Sequence, residues 1–245
     1  VHGIGGHGGL FEDMAEQLVR HGHELHAIDL PGHGLSPGQR GWIPAWEAFR
    51  GSVRRFLAHL GDRDSRCGRP FLLGHSLGGT IALDLALREP ALMAGVIVSN
   101  PAVGGARVAP WRLLAARGMS RLRPRFSLPT GIPLAASARD PEALARFAAD
   151  PLRHGDCTAR LATEYLTTAA AIRRDIGALS VPLLVLQSGA DPVTPAGEAR
   201  RMFEAAGTAD KTWRLYPRSL HEIFDDLERQ EVIGDLAAWL ERHGA

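Results

Sequence analysis

Apolar residues recur along the chain in two alternating patterns, short continuous runs and longer stretches with helical spacing. Continuous runs are typical of buried strands, and apolar residues three or four positions apart are typical of amphipathic helices. The runs predict strands at 24–30, 70–76, 94–101, 181–189 and 211–217. The helical spacing predicts helices at 9–21, 44–60, 77–90, 195–206 and 223–242. This alternation predicts an α/β fold, a mostly parallel sheet with helices on both faces.

The alternation breaks between residues 102 and 178, a stretch with six prolines and no sheet strand that the pattern can identify. Charge changes there too, because residues 90–139 contain seven arginines and neither Asp nor Glu. We expect a largely helical insertion that covers the carboxyl edge of the sheet, the edge where open α/β folds bind ligands. The predicted organisation is therefore a core of residues 1–101 and 179–245 and a cap of residues 102–178.

Composition narrows the function classes. The chain has 245 residues, is 45% hydrophobic and carries a formal net charge of +1. This suits one large or two small domains and gives no case for nucleic acid as a partner. Cys67 and Cys157 are far apart and outside any Cys-x-x-Cys pattern, so we expect two unpaired thiols. The sequence does not predict an oligomeric state.

The predicted localisation depends on two kinds of segment that the sequence does not show, a membrane span and a signal peptide. Apolar runs stay well short of the ~18 residues of a membrane span, and no signal peptide is visible, which favours the cytoplasm. The chain begins without Met at Val1, on what reads as the end of a strand. We therefore expect strands upstream of Val1, where a targeting signal would also lie.

The stretch "GHSLGG" at 74–79 contains the pattern Gly-x-Ser-x-Gly. It follows a predicted strand and opens a predicted helix, the context of a nucleophile elbow. In such an elbow the serine hydroxyl projects at the end of the strand, which makes Ser76 the candidate nucleophile. The alternative is a tight strand-to-helix turn with a capping serine.

Serine is a weak nucleophile at neutral pH and needs a general base. Asp191 and His221 each follow the end of a later predicted strand, and these strand ends share one sheet edge with Ser76. The order Ser, acid, His is the order of partners in proteins with this elbow. We therefore assign His221 as the base and Asp191 as the acid that orients it, against a turn residue and a helix-start residue as alternatives.

The opening "VHGIGGHGGLFEDM" permits two interpretations. Gly3, Gly5 and Gly8 fit Gly-x-Gly-x-x-Gly, and Asp29 lies about where a ribose-binding acid would follow in a dinucleotide site. The same loop can instead supply an oxyanion hole. Because the dinucleotide interpretation leaves the serine, acid and histidine unexplained, we favour the oxyanion hole. Its two donors are then the backbone N–H groups of Ile4 and Leu77.

The remaining histidines are weaker candidates. We expect His75 to be buried and hydrogen-bonded, with contact to the substrate head group as the alternative. His21, His23 and His26 lack a nearby carboxylate cluster, so no metal site is predicted.

These stretches resemble the monoacylglycerol lipase and lysophospholipase branch of the α/β-hydrolases. "HGIGGHGGLF" (2–11) is similar to that family's HGxGEHSGRY, and "DLPGHGLSPGQRG" (29–41) to its DxxGHGxSxGxRG. "ADPLRHG" (149–155), "SGADPVTP" and "YPRSLHE" are similar to its cap end, acid and histidine stretches. The resemblance implies an α/β-hydrolase fold with a helical cap, and a serine hydrolase that needs no cofactor and cleaves acyl esters.

The chain departs from the family pattern at two points. Gly6 replaces the acid of the opening motif, and Leu10-Phe11 replaces its Arg-Tyr pair. If the acid helps to bind glycerol, these changes remove that contact but leave ester chemistry in place. The family also has two or three strands before the opening loop, consistent with the strands expected upstream of Val1.

The cap sequence mixes arginines with large apolar residues between 106 and 126. We expect Trp111 and Leu114 to contact substrate and the apolar cap residues to line an acyl tunnel that ends at Ser76. A basic amphipathic helix can also lie on an anionic membrane, so transient surface contact is the alternative.

Three classes of function stay open at this point. The first is a serine hydrolase of small-molecule acyl esters or lipids, resembling monoacylglycerol lipase or lysophospholipase. The second keeps the same triad with another substrate, as in a small-ester esterase, a peptidase, a C–C hydrolase or a perhydrolase. The third is a ligand-binding receptor or an inactive fragment.

Overall fold

The computed structural model describes residues 1–63, 68–104 and 110–244. Within these ranges the side chains of residues 62, 63, 110–113 and 115 are also outside the description. The helices are α1 (Glu12–Arg20), α2 (Glu47–Arg63), α3 (Leu77–Arg88), α4 (Pro110–Leu122), α5 (Pro141–Ala149), α6 (Ala159–Asp175), α7 (Ala196–Ala205) and α8 (Arg229–Arg242). The strands are β1 (Phe71–His75), β2 (Gly95–Ser99), β3 (Ser127–Pro129), β4 (Asp156–Thr158), β5 (Leu183–Ser188) and β6 (Lys211–Tyr216). Four short 3-10 turns lie at Gly8–Phe11, Pro90–Leu92, Leu134–Ala136 and Ile176–Ala178.

The central sheet has the order β1-β2-β5-β6, and every neighbouring pair is parallel. Its register aligns Leu72 with Val96 and Val96 with Leu183. The carboxyl ends of β1, β2, β5 and β6 therefore meet at one edge, as predicted for strands that are apolar on both faces.

Alternation along the strands divides the core into two layers. On one face, Val96, Val98 and Val185 pack with residues of α2, α3, α6 and α7. On the other face, Ile97 and Leu184 pack with α1 and α8. This period of two is the pleat of the strands, and it gives each face its own set of helices.

Two expectations about strands are wrong. Residues 24–30 have the predicted apolar character but form no strand in the described structure. A strand exists only when its backbone pairs with a neighbour, which the side-chain pattern does not encode. Conversely, β3 and β4 form a small antiparallel ribbon inside the insertion, where no strand is predicted.

The insertion between β2 and β5 is mainly helical, as expected, with α4, α5 and α6 as its long elements. Helix α6 is not a separate layer, because its Leu161 and Ile172 lie in the same apolar cluster as Phe49 and Ile81. Ion pairs add further links from the insertion to the core, Arg139 to Asp226 and Asp140 to Arg229.

Candidate active site

Ser76 lies between the end of β1 and the start of α3, in a sharp backbone turn with φ 53° and ψ −116°. A positive φ is uncommon outside glycine and is strained. The turn is possible because Gly74 has no side chain. A Cβ at this position would collide with the Gly78 carbonyl, so only glycine fits there. The sequence pattern Gly-x-Ser-x-Gly thus has a steric cause, and it aims the serine hydroxyl away from the strand.

The structure brings Ser76, Asp191 and His221 together in a linear relay. His221 Nε2 lies 3.0 Å from Ser76 Oγ, and His221 Nδ1 lies 2.7 Å from Asp191 Oδ2. All three side chains are buried. With Nδ1 donating to the carboxylate, Nε2 is left as the acceptor for the serine proton, the tautomer that a general base needs.

Hydrogen bonds from its own loop hold the Asp191 carboxylate. Its Oδ1 accepts from the Val193 and Thr194 N–H groups at 2.7 and 3.1 Å, and its Oδ2 lies 2.6 Å from the Thr194 hydroxyl. Burial by itself would raise the pKa of Asp191, but the bonds from His221 and Thr194 keep that pKa below its usual value. The carboxylate is therefore ionised at neutral pH and can stabilise an imidazolium.

The two predicted oxyanion donors lie on either side of the serine. Leu77 is the first residue of α3, where a backbone N–H has no partner inside the helix. Within the described residues, neither the Leu77 nor the Ile4 N–H donates to a protein acceptor. The opening loop also lies against the nucleophile, since a Cβ on Gly3 would be 3.1 Å from Ser76 Cβ. This arrangement suits the stabilisation of a developing oxyanion.

Side chains from the core brace the opening loop. Asp29 accepts from the Gly8 and Leu35 N–H groups, each at 2.7 Å. His2 Nε2 accepts from the Leu30 N–H at 3.0 Å. In the dinucleotide interpretation, Asp29 would bind a ribose. In the structure, the Asp29 carboxylate instead accepts hydrogen bonds from backbone N–H groups of the loops around it.

The insertion braces the same loop from the other side. His7 Nε2 lies 2.6 Å from Asp150 Oδ2, and the His154 N–H donates to the Gly5 carbonyl at 3.0 Å. Both insertion residues belong to the "ADPLRHG" segment. That segment is therefore a direct contact between the insertion and the oxyanion loop.

His75 is buried and paired, the role expected first for it. Its Nδ1 lies 3.0 Å from Ser99 Oγ, and its Nε2 lies 3.1 Å from Glu222 Oε2. Arg153 approaches the other oxygen of Glu222 at 3.5 Å. Burial favours a neutral Glu222, but His75 and Arg153 outweigh it and hold the pKa of Glu222 well below its usual range. Contact of His75 with substrate stays a prediction.

The other predicted substrate contacts, Trp111 and Leu114, both belong to the insertion. Trp111 falls in α4, but its side chain is outside the described residues. Leu114 is 71% exposed, and Leu122 is 84% exposed. Phe126, Leu128, Ile132 and Leu134 are also exposed. The expectation that these residues line an enclosed tunnel is wrong for the six whose side chains are described, because all six are exposed.

The predictions about free thiols and metal sites can be compared with the structure only for the described residues. Cys157 is a free thiol, and Cys67 lies outside the described residues. Among the described side chains, no group of three or more His, Cys, Asp or Glu could hold a metal ion. No helix in the described part of the chain has the length and apolar character to cross a bilayer.

Sequence reasoning missed three residues that hold the site together. Thr194 touches Asp191, Asp150 touches the opening loop, and Asn100 touches the loop of His221. Asn100 carried a usable signal, since it is a polar residue directly after a buried strand at the ligand-binding edge. Thr194 and Asp150 carried weaker signals, because Thr and Asp are common in turns.

Comparison with known proteins gives a consistent result. Residues 1–228 match the family described as serine aminopeptidase, S33. The human monoglyceride lipase is 30% identical over 254 residues, which cover 100% of this chain and 82% of that protein. The monoacylglycerol lipase of Mycolicibacterium smegmatis is 29% identical over 250 residues, covering 99% of this chain and 87% of that protein.

A solved structure agrees with these relatives. The crystal structure of Paleococcus ferrophilus monoacylglycerol lipase superposes with a TM-score of 0.91 and 31% sequence identity. The superposition covers 100% of this chain and 93% of that one. The predicted fold class, an α/β-hydrolase fold, is thereby confirmed.

Proposed function

Because this chain belongs to the serine aminopeptidase S33 family, and to its branch resembling monoacylglycerol lipase, we propose that it hydrolyses carboxylic esters of acyl chains. The substrate class is a monoacylglycerol or a lysophospholipid, cleaved through an acyl-enzyme on Ser76. The observation that carries the proposal is the buried relay from Asp191 through His221 to Ser76, with distances of 2.7 and 3.0 Å.

The reaction runs in two halves. His221 Nε2 removes the Ser76 proton while Oγ attacks the ester carbonyl, and the oxyanion accepts hydrogen bonds from the Ile4 and Leu77 N–H groups. Collapse of this intermediate expels the alcohol, which takes the proton from His221, and leaves the acyl group on Ser76. A water molecule then repeats the sequence on the acyl-enzyme, releases the carboxylic acid and restores the serine.

The proposal concerns the acyl ester rather than the glycerol head group. Gly6 and Leu10 occupy the positions where the family pattern has an acid and an arginine. Leu10 packs into this space, since its Cδ1 lies 3.2 Å from where a Gly6 Cβ would be. The side chains at these two positions offer no hydrogen-bonding group to an alcohol, so we propose that the acyl chain contributes more to recognition than the alcohol.

The organisation into core and cap is part of the proposal. All four strands of the parallel sheet fall within residues 1–101 and 179–245, and residues 102–178 lie between β2 and β5. This supports residues 102–178 as a cap that approaches the site through Asp150 and His154. His75 and Trp111 remain proposed substrate contacts, and Leu114, which is exposed, is proposed to meet the acyl chain at the surface of the cap rather than inside a tunnel.

The exposed residues of the cap have the character of a lipid-binding surface. We use the term cap surface for the exposed apolar residues Leu114, Met119, Leu122, Phe126, Leu128, Ile132 and Leu134 with the exposed Arg117, Arg121, Arg123 and Arg125. Apolar residues flanked by arginines favour an anionic membrane surface. Transient contact with such a surface would deliver an acyl ester to the site.

The test is a series of p-nitrophenyl esters with increasing acyl length. We expect kcat/KM to rise by no more than about fourfold per carbon over the first several carbons, because each buried CH₂ contributes about 0.8 kcal/mol. A fluorophosphonate should stop the reaction and label Ser76. A flat profile, or a steep fall beyond acetate, would reject the lipid substrate. Faster cleavage of aminoacyl p-nitroanilides would favour a peptidase instead.

A second measurement tests the cap surface. Turnover of a long-chain ester should increase when anionic vesicles are added and lose that increase at high salt, since salt screens the arginines. No response to vesicles at low salt would reject membrane contact and leave the ester proposal intact.

A further inference from the structure

Asn100 has an unusual backbone conformation next to the active site. It follows β2 directly and has φ 43°. Among the described non-glycine residues, only Ser76 shares a positive φ. Residues in this region persist when their surroundings enforce the conformation, and they cluster at functional sites. Asn100 is fully buried, so packing and hydrogen bonds provide that enforcement.

Both the oxygen and the nitrogen of the Asn100 side-chain amide are hydrogen-bonded. Oδ1 accepts from the Ser188 N–H at 2.7 Å. Nδ2 donates to Ser188 Oγ at 2.9 Å and to the His221 carbonyl at 2.6 Å. The reverse orientation would set the NH₂ group against the Ser188 N–H, so the hydrogen bonds fix the amide in one orientation.

These contacts join the two loops that carry the acid and the base. Ser188 ends β5, three residues before Asp191, and its hydroxyl also donates to the Leu220 carbonyl at 2.6 Å. The Thr194 hydroxyl, 2.6 Å from Asp191 Oδ2, lies 3.1 Å from the Asn100 carbonyl. Because β2 lies between β1 and β5, Asn100 occupies the point between the nucleophile and the acid.

The other backbone contacts of His221 do not replace this one. Its N–H donates to the Ala136 carbonyl of the cap at 3.2 Å. Its carbonyl also accepts from Ile223, two residues further along the same loop. The amide of Asn100 is therefore the link from the His221 carbonyl to the sheet among the described residues.

We propose that Asn100 is a positioning residue for ester hydrolysis, holding the loops of Asp191 and His221 in place over Ser76. This inference rests on the proposed function. It acts on proton transfer by His221 rather than on substrate binding, so its loss lowers kcat and leaves KM almost unchanged. Misplacing a catalytic group by about 1 Å can cost about 100-fold in rate.

Two variants distinguish the contribution of the Asn100 hydrogen bonds from that of its strained backbone. Asn100→Asp keeps the size and the tolerance for positive φ but removes both N–H donors. Asn100→Gly relaxes φ and removes the side chain. We expect kcat to fall about 10-fold to 100-fold in each, with KM within about twofold. Labelling of Ser76 by a fluorophosphonate should slow in parallel, because it needs the same base.

Thr80→Val is the matched control. The Thr80 hydroxyl is a buried donor to the Ala102 carbonyl at 2.6 Å, in the loop that Asn100 begins. It touches neither Asp191 nor His221, so this variant should keep kcat within about twofold of the wild type. An equal loss of kcat in Thr80→Val would mean that any loosened bond in this loop impairs the reaction, and would overturn the assignment.

A spectroscopic readout covers the case in which the variants do not fold. Asn100 is the only asparagine in the chain, so [¹⁵N]asparagine labelling gives one side-chain NH₂ resonance pair. This pair should shift when a fluorophosphonate modifies Ser76, because the modification replaces the hydrogen bond between Ser76 and His221, whose carbonyl the Asn100 amide binds. An unshifted pair, or full activity in both Asn100 variants, overturns the positioning role. Absence of ester hydrolysis and of Ser76 labelling in the wild type would instead reject the proposed function.

Discussion

The carboxyl edge of the sheet and the cap surface differ in which side chains they bury: the first buries polar groups and the second exposes apolar ones. At the sheet edge, Ser76, Asp191 and His221 are polar yet at most 6% exposed, and each is hydrogen-bonded. On the cap surface, Leu114 and Leu122 are apolar yet more than 70% exposed. The first arrangement requires exact pairing, because a buried polar group without a partner is costly. The second arrangement requires no such pairing, because binding by exposed apolar side chains depends on the apolar area that is buried.

This difference suggests a division of labour. Under the proposed function, the geometry of bond cleavage depends on rigid strand ends, whereas delivery of substrate would depend on a surface with loose geometric demands. The insertion that carries the cap surface reaches the opening loop beside Ser76, where His154 and Asp150 contact Gly5 and His7. The comparison can be tested by changing each region in turn, and changes in the sheet edge should have the larger effects.

Replacing the nucleophile tests the sheet edge most directly. Ser76→Ala removes the covalent step, and loss of a triad member can cost about six orders of magnitude in turnover. Hydrolysis of p-nitrophenyl butyrate with a thermal unfolding curve measures both activity and fold. Ser52→Ala, which removes an Oγ bonded to the Ala48 carbonyl in α2, is the control and should retain activity. Near-normal hydrolysis by Ser76→Ala would show that another residue is the nucleophile.

Removing the charge of the acid should have the next largest effect. Asp191→Asn keeps the side-chain shape but favours the wrong tautomer of His221, with an expected loss on the order of 10⁴ in kcat. Asp225 and Asp226 cannot easily substitute, because they are paired with Arg146 and Arg139. A loss below tenfold would contradict this assignment and make these two carboxylates the next to replace.

The histidines packed between the opening loop and the insertion should make the stability of the protein respond to acid. The rings of His2 and His33 have centroids 5.2 Å apart, and those of His33 and His154 are 4.8 Å apart. Burial lowers the pKa of His33 to about 4 from an ordinary value of about 6.5. Below pH ~6.5 the unfolded chain therefore binds a proton that the folded chain excludes until about pH 4. Stability should fall through this window as pH falls, by up to about 3 kcal/mol.

His33→Asn isolates this contribution. Its free energy of unfolding, measured in urea between pH 4 and 7, should depend less on pH than that of the wild type. Asp225 acts in the opposite direction, because burial and Glu222 raise its pKa to about 7, but it is present in both proteins and cancels in the comparison. His59→Asn changes an exposed histidine and should leave the curve unaltered. Parallel curves for the wild type and His33→Asn would contradict the prediction.

The cap surface should give the smallest effect on chemistry. Leu122→Ser should weaken binding to anionic vesicles by up to about tenfold, since a partly inserted leucine contributes about 1.5 kcal/mol or less. Hydrolysis of soluble p-nitrophenyl acetate should stay unchanged. Val19→Ser, an exposed position on α1, is the control for vesicle binding. Loss of soluble-ester activity in Leu122→Ser would break the proposed separation between delivery and chemistry.

Much of the fold follows from the sequence because the parallel strands are apolar on both faces. The runs predict β1, β2, β5 and β6 within two residues at either end. The same logic places Ser76, Asp191 and His221 at one edge, since parallel strands end together. Segment 24–30 shows the limit, because its apolar pattern says nothing about whether a neighbouring strand pairs with it.

The cap and the supporting contacts were harder to predict for a different reason. An apolar residue exposed on the surface and one that lines a tunnel have the same sequence signature, so the pattern does not distinguish the two for Leu122 and its neighbours. Asn100 and Thr194 are small polar residues near turns, where local hydrogen bonding is the usual explanation. Their contacts depend on loops far away in the chain, which periodicity does not report.

The separation of the triad along the chain has a consequence for folding. Ser76 Oγ and His221 Nε2 are hydrogen-bonded across 145 residues of sequence, and Asp191 lies 30 residues before the histidine. Contacts between such distant segments form only after the intervening chain has closed into its native topology. A chain still emerging from the ribosome, or one that has folded only its first half, carries the serine without its base. The proposed reactivity of Ser76 therefore arises late in assembly, once the second half of the sheet has formed.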